Sequence, residues 1–199
     1  MGSDSPSFIE TARRKQIIAC AIETIAELGY MRASLTQIAQ RAGISKGVIS
    51  YHFAGKEELV REIAKEVYQI AGSFIATRIR SETSARGKLR AYIESNLEFM
   101  GRYRQELLAL VSILMYARNK RGEMLFDLVA EKPILEITEG IFLEGQRSGE
   151  FRAFATRPMA IALRGVIDAA PGKLLGTPDF DLEGYTKEVA DFFDIGTRA

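Results

Sequence analysis

The chain has 199 residues, 47% of them hydrophobic and 27% charged, with a formal net charge of only +1. This composition supplies a sizeable hydrophobic core and excludes a disordered chain. A single cysteine, Cys20, excludes an intramolecular disulfide framework, so we expect a reducing compartment and a cytoplasmic protein. The longest apolar run, residues 107–117, is about half of a membrane span, and we therefore expect no membrane partner.

Apolar residues repeat with a helical period through most of the chain, and no segment shows the alternation of a strand, so we predict an all-α fold. The first helix has an apolar residue at each turn of one face: Ile17, Ala21, Ile25 and Leu28. Gly29 ends this helix, because glycine readily adopts the backbone turn that follows a helix.

Two short helices joined by a glycine turn come next. Ser34 and Gln37 form a capping box that starts the second helix, and Gly43 ends it. Ser45 can cap a third helix over residues 46–53. Together with the first helix they predict a three-helix head with a helix-turn-helix, whose second short helix enters the DNA major groove by its N-terminal end.

The same segment carries positive charge and no acid. Between residues 30 and 56 the charged side chains are Arg32, Arg41, Lys46 and Lys56. This window is therefore +4, and since the whole chain is +1, the remainder sums to −3. A basic patch in a nearly neutral protein indicates a phosphate backbone as the partner of that region.

The third predicted helix has small and hydroxyl side chains along its exposed face. Val48 would contact a thymine methyl group, and Ser50 would exchange hydrogen bonds with base edges. Gly47 would let the backbone approach DNA closely, unless it only relieves crowding at the helix start. The other candidate contacts are with phosphates or the groove rim: Thr36, Ser45, Lys46, Tyr51 and His52. A solvated Lys46 and a core or capping His52 are the alternatives.

This region closely resembles the N-terminal domain of TetR-type transcriptional repressors, at Thr36–Ala39, Ala42–Gly47, Tyr51–Phe53 and Lys56–Leu59. The resemblance implies nine or ten helices, a homodimer, a palindromic operator, and release from DNA when a small molecule binds. It also makes Lys56 similar to the lysine that clamps the DNA backbone in this family. Many relatives have Thr and Tyr at the positions of Val48 and Ser50, so the base contacts of this chain are expected to differ.

We predict two domains, a helix-turn-helix DNA-binding domain over residues 8–55 and a helical ligand-binding and dimerisation domain over residues 56–199. A fourth helix, residues 56–80, leads away from the head and can link it mechanically to the body. Further helices are predicted over residues 84–102, 105–118, 122–147 and 156–174, and a last one after Asp181. Pro133 should kink or divide the helix over residues 122–147 near Lys132.

The body has more aromatic and methionine side chains than a compact bundle needs, which predicts an effector pocket for a partly apolar molecule. The candidate lining residues are Phe74, Tyr92, Phe99, Tyr103, Met115, Tyr116, Phe126 and Phe142. A packed core shows the same kind of stripe and is the alternative.

The last two helices are predicted to form the homodimer contact, because small residues in the first of them allow close helix approach and apolar residues follow in the second. The candidate dimerisation residues are Leu163, Val166, Ala170, Val189, Phe192 and Phe193. Burial of these side chains within one chain is the alternative.

Catalytic and metal chemistry are poorly represented in this sequence. His52 is the only histidine, so neither a Ser-His-Asp system nor a His/Cys metal cluster can be built. We expect no enzymatic activity, cofactor or metal, and a regulator that binds an operator and an effector. The alternatives are a small-molecule-binding or catalytic helical protein with an incidental basic head, and a regulator controlled by a protein partner.

Overall fold

The computed structural model describes residues 7–126 and 132–199, which form nine α-helices and no strand beyond isolated bridges. The helices are α1 Phe8–Leu28, α2 Leu35–Arg41, α3 Lys46–His52, α4 Lys56–Arg80, α5 Ala85–Arg102, α6 Arg104–Tyr116, α7 Lys132–Ser148, α8 Thr156–Gly176 and α9 Leu182–Thr197. The predicted all-α fold with an N-terminal helix-turn-helix is confirmed.

Capping residues set the ends of the two short helices. The backbone N–H of Gln37 donates to Ser34 Oγ at 3.2 Å, and the N–H of Ser34 donates to Gln37 Oε1 at 2.8 Å, which completes the predicted capping box. Gly43 has φ +66°, as the predicted turn requires. Ser45 occupies the N-cap position of α3, as predicted, but its side chain makes no capping hydrogen bond.

The helix predicted over residues 122–147 is wrong at its start. An isolated bridge joins Arg118 and Met124, and Gly122 has φ +80°, so the chain turns back where a helix was expected. The second part of the predicted helix is α7, which begins at Lys132, and Pro133 falls in its first turn, where a missing N–H removes no helical bond. A kink or division of a longer helix near Lys132 stays a prediction. Residues 127–131 of the predicted helix lie outside the described residues.

Contacts divide the chain into two compact units whose boundary falls inside α4. The first unit is Met1–Tyr68 with Gln105–Asp127, and the second is Gln69–Arg104 with Leu128–Ala199. The predicted boundary at residues 55/56 separated only α1–α3 as a head. The contacts place the first half of α4 and nearly all of α6 in the same unit as these helices, and the functional division into DNA-binding and ligand-binding domains stays a prediction.

The first unit buries the inner faces of α1–α4. Its fully buried large side chains are Ile17, Ile25, Ile38, Ile49, Phe53, Leu59 and Ile63, together with Ile113 of α6. Ile49 and Phe53 are the inward residues of α3 and of its C-terminal cap. Burying two large side chains from so short a segment fixes which face of α3 points outward.

In the second unit, α5 packs against α7, α8 and α9, and α8 also contacts α7 and α9. One close approach depends on Gly145 in α7, because a Cβ there would stand 2.0 Å from the Phe151 ring. Phe151 in turn meets Phe142 and Phe154 at ring-centroid distances of 6.1 and 6.5 Å.

This packing corrects part of the predicted dimerisation set. Leu163 and Ala170 of α8 are fully buried, and Val189 and Phe193 of α9 are 8% and 3% exposed within the single chain. Because α8 and α9 turn these residues toward their own unit, they belong to its core and are not free surface. Phe192 is 69% exposed and Val166 is partly exposed.

An ion-pair clamp joins the start of α5 to the end of α9. Arg86 donates twice to Asp194 at 2.8 Å, and Arg198 donates to the same carboxylate at 2.7 Å. Hydrogen bonds from Arg86 and then Arg198 hold the pKa of Asp194 at about 2, below its usual 3.8. Glu150 accepts the backbone N–H groups of Ala85 and Arg86 at 3.1 Å, which satisfies the first turn of α5.

No helix among the described residues has both the length and the apolar character needed to cross a bilayer. The same part of the chain contains no group of three or more His, Cys, Asp or Glu side chains that could hold a metal ion.

Candidate nucleic-acid interface

The outer face of α3 presents Lys46, Gly47, Ser50 and Tyr51 to solvent, and Tyr51 is 73% exposed. The helical period explains this, since Ile49 occupies the opposite side of α3 and is fully buried. Of the other predicted DNA contacts, Thr36 and Ser45 are exposed, whereas Val48 and His52 are partly buried at the edges of the face. The structure therefore places seven of the nine predicted DNA contacts on or beside the outer surface of α3, the α3 face: Ser45, Lys46, Gly47, Val48, Ser50, Tyr51 and His52. Thr36 is exposed on α2.

Gly47 has no steric reason to be a glycine in this structure. A Cβ at this position would meet only Ser45 Oγ, at 3.6 Å, which is ordinary van der Waals contact. Gly47 is also not among the residues with positive φ. The alternative that Gly47 relieves crowding at the start of α3 is therefore not supported, and close approach of DNA to this backbone stays a prediction.

Two residues of α1 hold α3 in place, and sequence reasoning missed both. Tyr51 Oη donates to Glu10 Oε1 at 3.0 Å. Arg14 donates to the backbone carbonyl of His52, and its guanidinium lies 4.3 Å from the centroid of the Phe53 ring. A charged residue one turn before Ile18, on the buried side of α1, was the available signal for Arg14, because such a charge needs a specific partner.

The Glu10 carboxylate is also part of the N-terminal capping box of α1, where it accepts the backbone N–H of Ser7 at 2.8 Å. This bond, and then the bond from the Tyr51 hydroxyl, lower the pKa of Glu10. The same contact raises the pKa of Tyr51. An ionised carboxylate is thus held beside an exposed hydroxyl on the α3 face.

Lys56 is not on the α3 face. Its ammonium lies 4.0 Å from the centroid of the Tyr30 ring and donates to the Tyr30 carbonyl, and burial lowers the pKa of Lys56. The backbone N–H of Tyr30 donates to Ser112 Oγ of α6 at 2.8 Å, so Tyr30 joins α6 to the start of α4 inside the first unit.

One of the remaining basic side chains of the segment is neutralised. Arg41 forms ion pairs with Glu23 and Glu27 of α1, whereas Arg32 keeps its charge, because its Nε donates to the neutral carbonyl of Leu28 at 2.8 Å. Lys46 is exposed, and its ammonium has no bonded partner among the described residues. Among the described residues, the charges of this segment without an ionic partner and open to an outside molecule are therefore Arg32 and Lys46, and Lys46 lies at the start of α3.

The second unit has an aromatic groove, which we define by its lining residues Gln69, Ile70, Ser73, Phe74 and Tyr103, with a volume of about 470 Å³. Behind it, Phe99 stacks on Tyr103 with ring centroids 4.6 Å apart, and Phe74 meets both rings at 6.1 Å. The guanidinium of Arg102 lies 5.9 Å from the Phe74 and Tyr103 rings and forms no ion pair with a described residue.

The eight predicted effector residues are not brought together in one place. Phe74, Phe99 and Tyr103 form the cluster at the aromatic groove, whereas Phe142 packs separately against Phe151 and Phe154. Tyr92 is buried, at 2% exposure. Met115, Tyr116 and Phe126 belong to the first unit, where Met115 and Tyr116 are about half exposed, at 55% and 50%. Side-chain type alone could not separate these environments.

An exposed apolar strip follows α8 and α9 of the second unit. Ile161 is 52% exposed, Phe192 69% and Ile195 70%, and the small residues Ala162, Gly165 and Ala169 of α8 are exposed as well. Ile161 and Ile195 were not among the predicted dimerisation residues. Their exposure is the signal, and only the packed structure provides it.

The three-helix head and the α3 face place this chain in the class of helical proteins with an N-terminal helix-turn-helix. Residues 17–63 match the family model for bacterial regulatory proteins of the tetR family. The fatty acid metabolism regulator protein of Bacillus subtilis is 32% identical over 146 residues, which cover 69% of this chain and 70% of that protein. The chain belongs to the tetR family of bacterial regulatory proteins, which confirms the resemblance seen in its sequence.

Two solved structures share the fold over nearly the whole chain. The regulator FadR from Bacillus subtilis in complex with stearoyl-CoA has a TM-score of 0.73 at 24% identity and covers 89% of this chain and 95% of its own. A transcriptional regulator from Saccharomonospora viridis in complex with choline has a TM-score of 0.78 at 22% identity, with coverage of 95% and 99%. The match to other curated relatives is shorter: for a BetI-type transcriptional regulator of Chromohalobacter salexigens it spans 45% of the length of that protein, or about half.

Proposed function

We propose that this protein is a transcriptional repressor that binds a palindromic DNA operator as a homodimer and leaves it when a partly apolar small molecule binds. The α3 face carries this proposal. It presents Lys46, Gly47, Ser50 and Tyr51 outward from a helix that is anchored by Ile49, and the segment from residue 30 to residue 56 has no acidic side chain. Such a face suits a helix in the major groove.

Each side chain has a proposed role on DNA. Ser50 and Val48 would read bases, while Thr36, Ser45, Lys46, Tyr51 and His52 would contact phosphates or the groove rim. Lys56 would have to leave the Tyr30 carbonyl to reach a phosphate. Tyr51 would exchange its bond to Glu10 for one to DNA.

Selection from random duplexes tests the operator, and we expect enrichment of a symmetric sequence with half-sites about one or more helical turns apart, on the order of 34 Å per turn. Lys46→Ala should weaken binding to all sequences. It should also reduce the slope of log binding constant against log salt concentration by about one, the effect of one lost phosphate contact. Ser50→Ala should instead alter sequence preference. If no symmetric sequence is enriched, the operator proposal is wrong and a small-molecule-binding protein with an incidental basic head becomes the better reading.

Gly47→Ala is the sharpest single test, because stability and DNA binding should move in opposite directions. The added Cβ has room, and alanine favours a helix over glycine by about 0.5–1 kcal/mol, so the variant should be at least as stable as the wild type. Operator affinity should fall about tenfold or more if DNA approaches this backbone. Gly72→Ala in α4 is the matched control, since its Cβ also meets nothing within 4 Å. Unchanged affinity in the Gly47 variant would exclude close backbone approach.

The homodimer is proposed to form through the exposed apolar strip of α8 and α9. Phe192 and Ile195 of α9 offer apolar area, and the small residues of α8 allow close approach of a second copy. Phe192→Asp should give a monomer in light scattering at low micromolar concentration. Ile9→Asp replaces an equally exposed side chain, 76%, in α1 and should leave the oligomeric state unchanged. A folded Phe192→Asp dimer would contradict this assignment.

The aromatic groove is the proposed entrance for the effector. Half-exposed rings beside an unpaired Arg102 suit an amphipathic molecule, and the similar structures that hold stearoyl-CoA and choline show that proteins of this fold accept small ligands. Because α4 contributes to the groove and also begins beside the head, a ligand that shifts α4 can change operator affinity. A coupling free energy of about 1–3 kcal/mol is enough, and operator DNA must weaken ligand binding by the same factor.

We propose no catalytic activity, in line with the regulators that the chain resembles, and action in the cytoplasm, where an operator is accessible. Control by a protein partner is the remaining alternative. It would be favoured if operator binding is confirmed and no small molecule in a broad screen of apolar and amphipathic compounds releases the DNA.

A further inference from the structure

The Tyr92 hydroxyl of α5 is the one fully buried side-chain polar atom, among the described residues, that has no hydrogen-bond partner. The side chain is 2% exposed. Other buried polar side chains of α5 are satisfied locally: Asn96 Nδ2 donates to the Tyr92 carbonyl at 2.7 Å, and Ser95 Oγ donates to it at 3.4 Å. A buried hydroxyl without a hydrogen-bond partner is unusual in a protein core, and a molecule from outside the chain can supply the missing acceptor.

Arg164 of α8 lies close enough to Tyr92 to interact with its hydroxyl. Its side chain is 15% exposed and forms a two-point ion pair with Asp168, with Nε donating to Oδ2 at 2.7 Å. Burial opposes the charge of Arg164, but the bonds to Asp168 and the nearby Tyr92 oxygen outweigh it and raise the pKa of Arg164. The Tyr92 oxygen is therefore close enough to favour the charge of the guanidinium, but no hydrogen bond of regular geometry reaches the Tyr92 hydroxyl.

Both groups can donate a hydrogen bond, and the Tyr92 hydroxyl has no acceptor among the described residues. Nearby positions in sequence, Leu163 and Ile167 on α8 and Ile93 on α5, are fully buried and have no side-chain acceptor. Tyr92 also lies on the same stripe of α5 as Phe99 and Tyr103, at spacings of seven and eleven residues. The stripe ends at the aromatic groove, about 16 Å along the helix from Tyr92 at 1.5 Å per residue.

We propose that Tyr92 and Arg164 bind the carbonyl or carboxylate oxygen of an acyl effector whose apolar chain follows the α5 stripe. This inference rests on the proposed function, because the acyl compound would be the molecule that releases operator. An oxygen atom can accept hydrogen bonds from both the Tyr92 hydroxyl and the Arg164 guanidinium. A quaternary ammonium group accepts no hydrogen bond and is repelled by the guanidinium. The acyl group can come from a free fatty acid or from a coenzyme A thioester, which share this oxygen.

Calorimetric titration with probes of one chain length tests the proposal: dodecanoate, dodecanoyl-CoA and dodecyltrimethylammonium, each below its micelle concentration. The wild type should bind at least one acyl probe, and which one it binds identifies the source of the acyl group. Tyr92→Phe should weaken that binding about five- to tenfold, the value of one lost hydrogen bond. Arg164→Lys should weaken it as well. Tyr185→Phe is the matched control, because the Tyr185 hydroxyl donates to the Val166 carbonyl and should not affect the probe.

Three results would overturn the proposal: neither acyl probe binds, Tyr92→Phe retains full affinity, or the ammonium probe binds as tightly as the acyl probe. Operator binding of the same preparations separates this inference from the proposed function. Wild type and Tyr92→Phe should bind the selected operator equally in the absence of probe. If operator binds but Tyr92→Phe does not change acyl affinity, only the acyl site is wrong, whereas loss of operator binding in the wild type refutes the regulator itself.

Discussion

The buried hydroxyl of Tyr92 also makes a prediction about the protein without ligand. Tyr92→Phe removes one oxygen that has no hydrogen-bond partner and keeps the shape of the ring. An unsatisfied buried polar group costs about 1–3 kcal/mol, so its removal should raise the free energy of unfolding by about 1 kcal/mol. For a chain of this size the midpoint of thermal unfolding should rise by about 2–4 °C. Stabilisation by a substitution that weakens ligand binding is the expected signature of a binding residue.

The measurement is urea unfolding at pH 7, at a fixed protomer concentration because dimerisation contributes to stability. Tyr185→Phe is again the control: its hydroxyl donates to the Val166 carbonyl at 2.7 Å, and losing that bond should lower the free energy of unfolding by about 1 kcal/mol. The two variants should therefore move in opposite directions. If Tyr92→Phe is destabilised as much as Tyr185→Phe, the hydroxyl has a partner in the free protein, such as a buried water, and the reasoning fails.

Three further predictions concern charged contacts. The arginine clamp lowers the folded-state pKa of Asp194 to about 2, so its stabilisation is complete at pH 7 and is lost as the pH falls from about 5 toward 2. Asp194→Asn should lower the free energy of unfolding by about 1 kcal/mol at pH 7, measured by urea unfolding and after allowance for solvent screening. At pH 3 the variant and the wild type should differ less in this free energy. Glu10→Gln should raise DNA affinity roughly two- to fivefold at low salt, in fluorescence anisotropy, because it removes a carboxylate held beside Tyr51; no change would mean that DNA stays away from Tyr51. Arg14→Met should lower the free energy of unfolding by about 1.5 kcal/mol and weaken operator binding, since it loses a charged hydrogen bond to the end of α3 while keeping an apolar stem over Phe53; an unaffected operator affinity would show that this bond does not position α3.

Local chemistry was sufficient to predict most of the head. A capping box needs only residues three apart, so Ser34 and Gln37 could be paired from sequence, and Gly43 could be assigned to the turn because few other residues tolerate positive φ. Helical period likewise separated the inward Ile49 from the outward Lys46 and Tyr51. Local signals failed at residues 122–126, where the apolar pattern suits a helix but Gly122 turns the chain back.

The sequence by itself therefore determined the helices, the helix-turn-helix and the outer face of α3, because each of these depends on neighbours within about one helical turn. Only the tertiary structure decided which apolar faces are core. Periodicity shows that α9 has an apolar side, but Phe193 is buried and Phe192 exposed because α5 and α8 cover one and not the other. The contacts of Tyr51 with Glu10, of Arg14 with His52 and of Tyr92 with Arg164 join residues 38 to 72 positions apart. No local pattern encodes such pairs, since they exist only once the helices have packed.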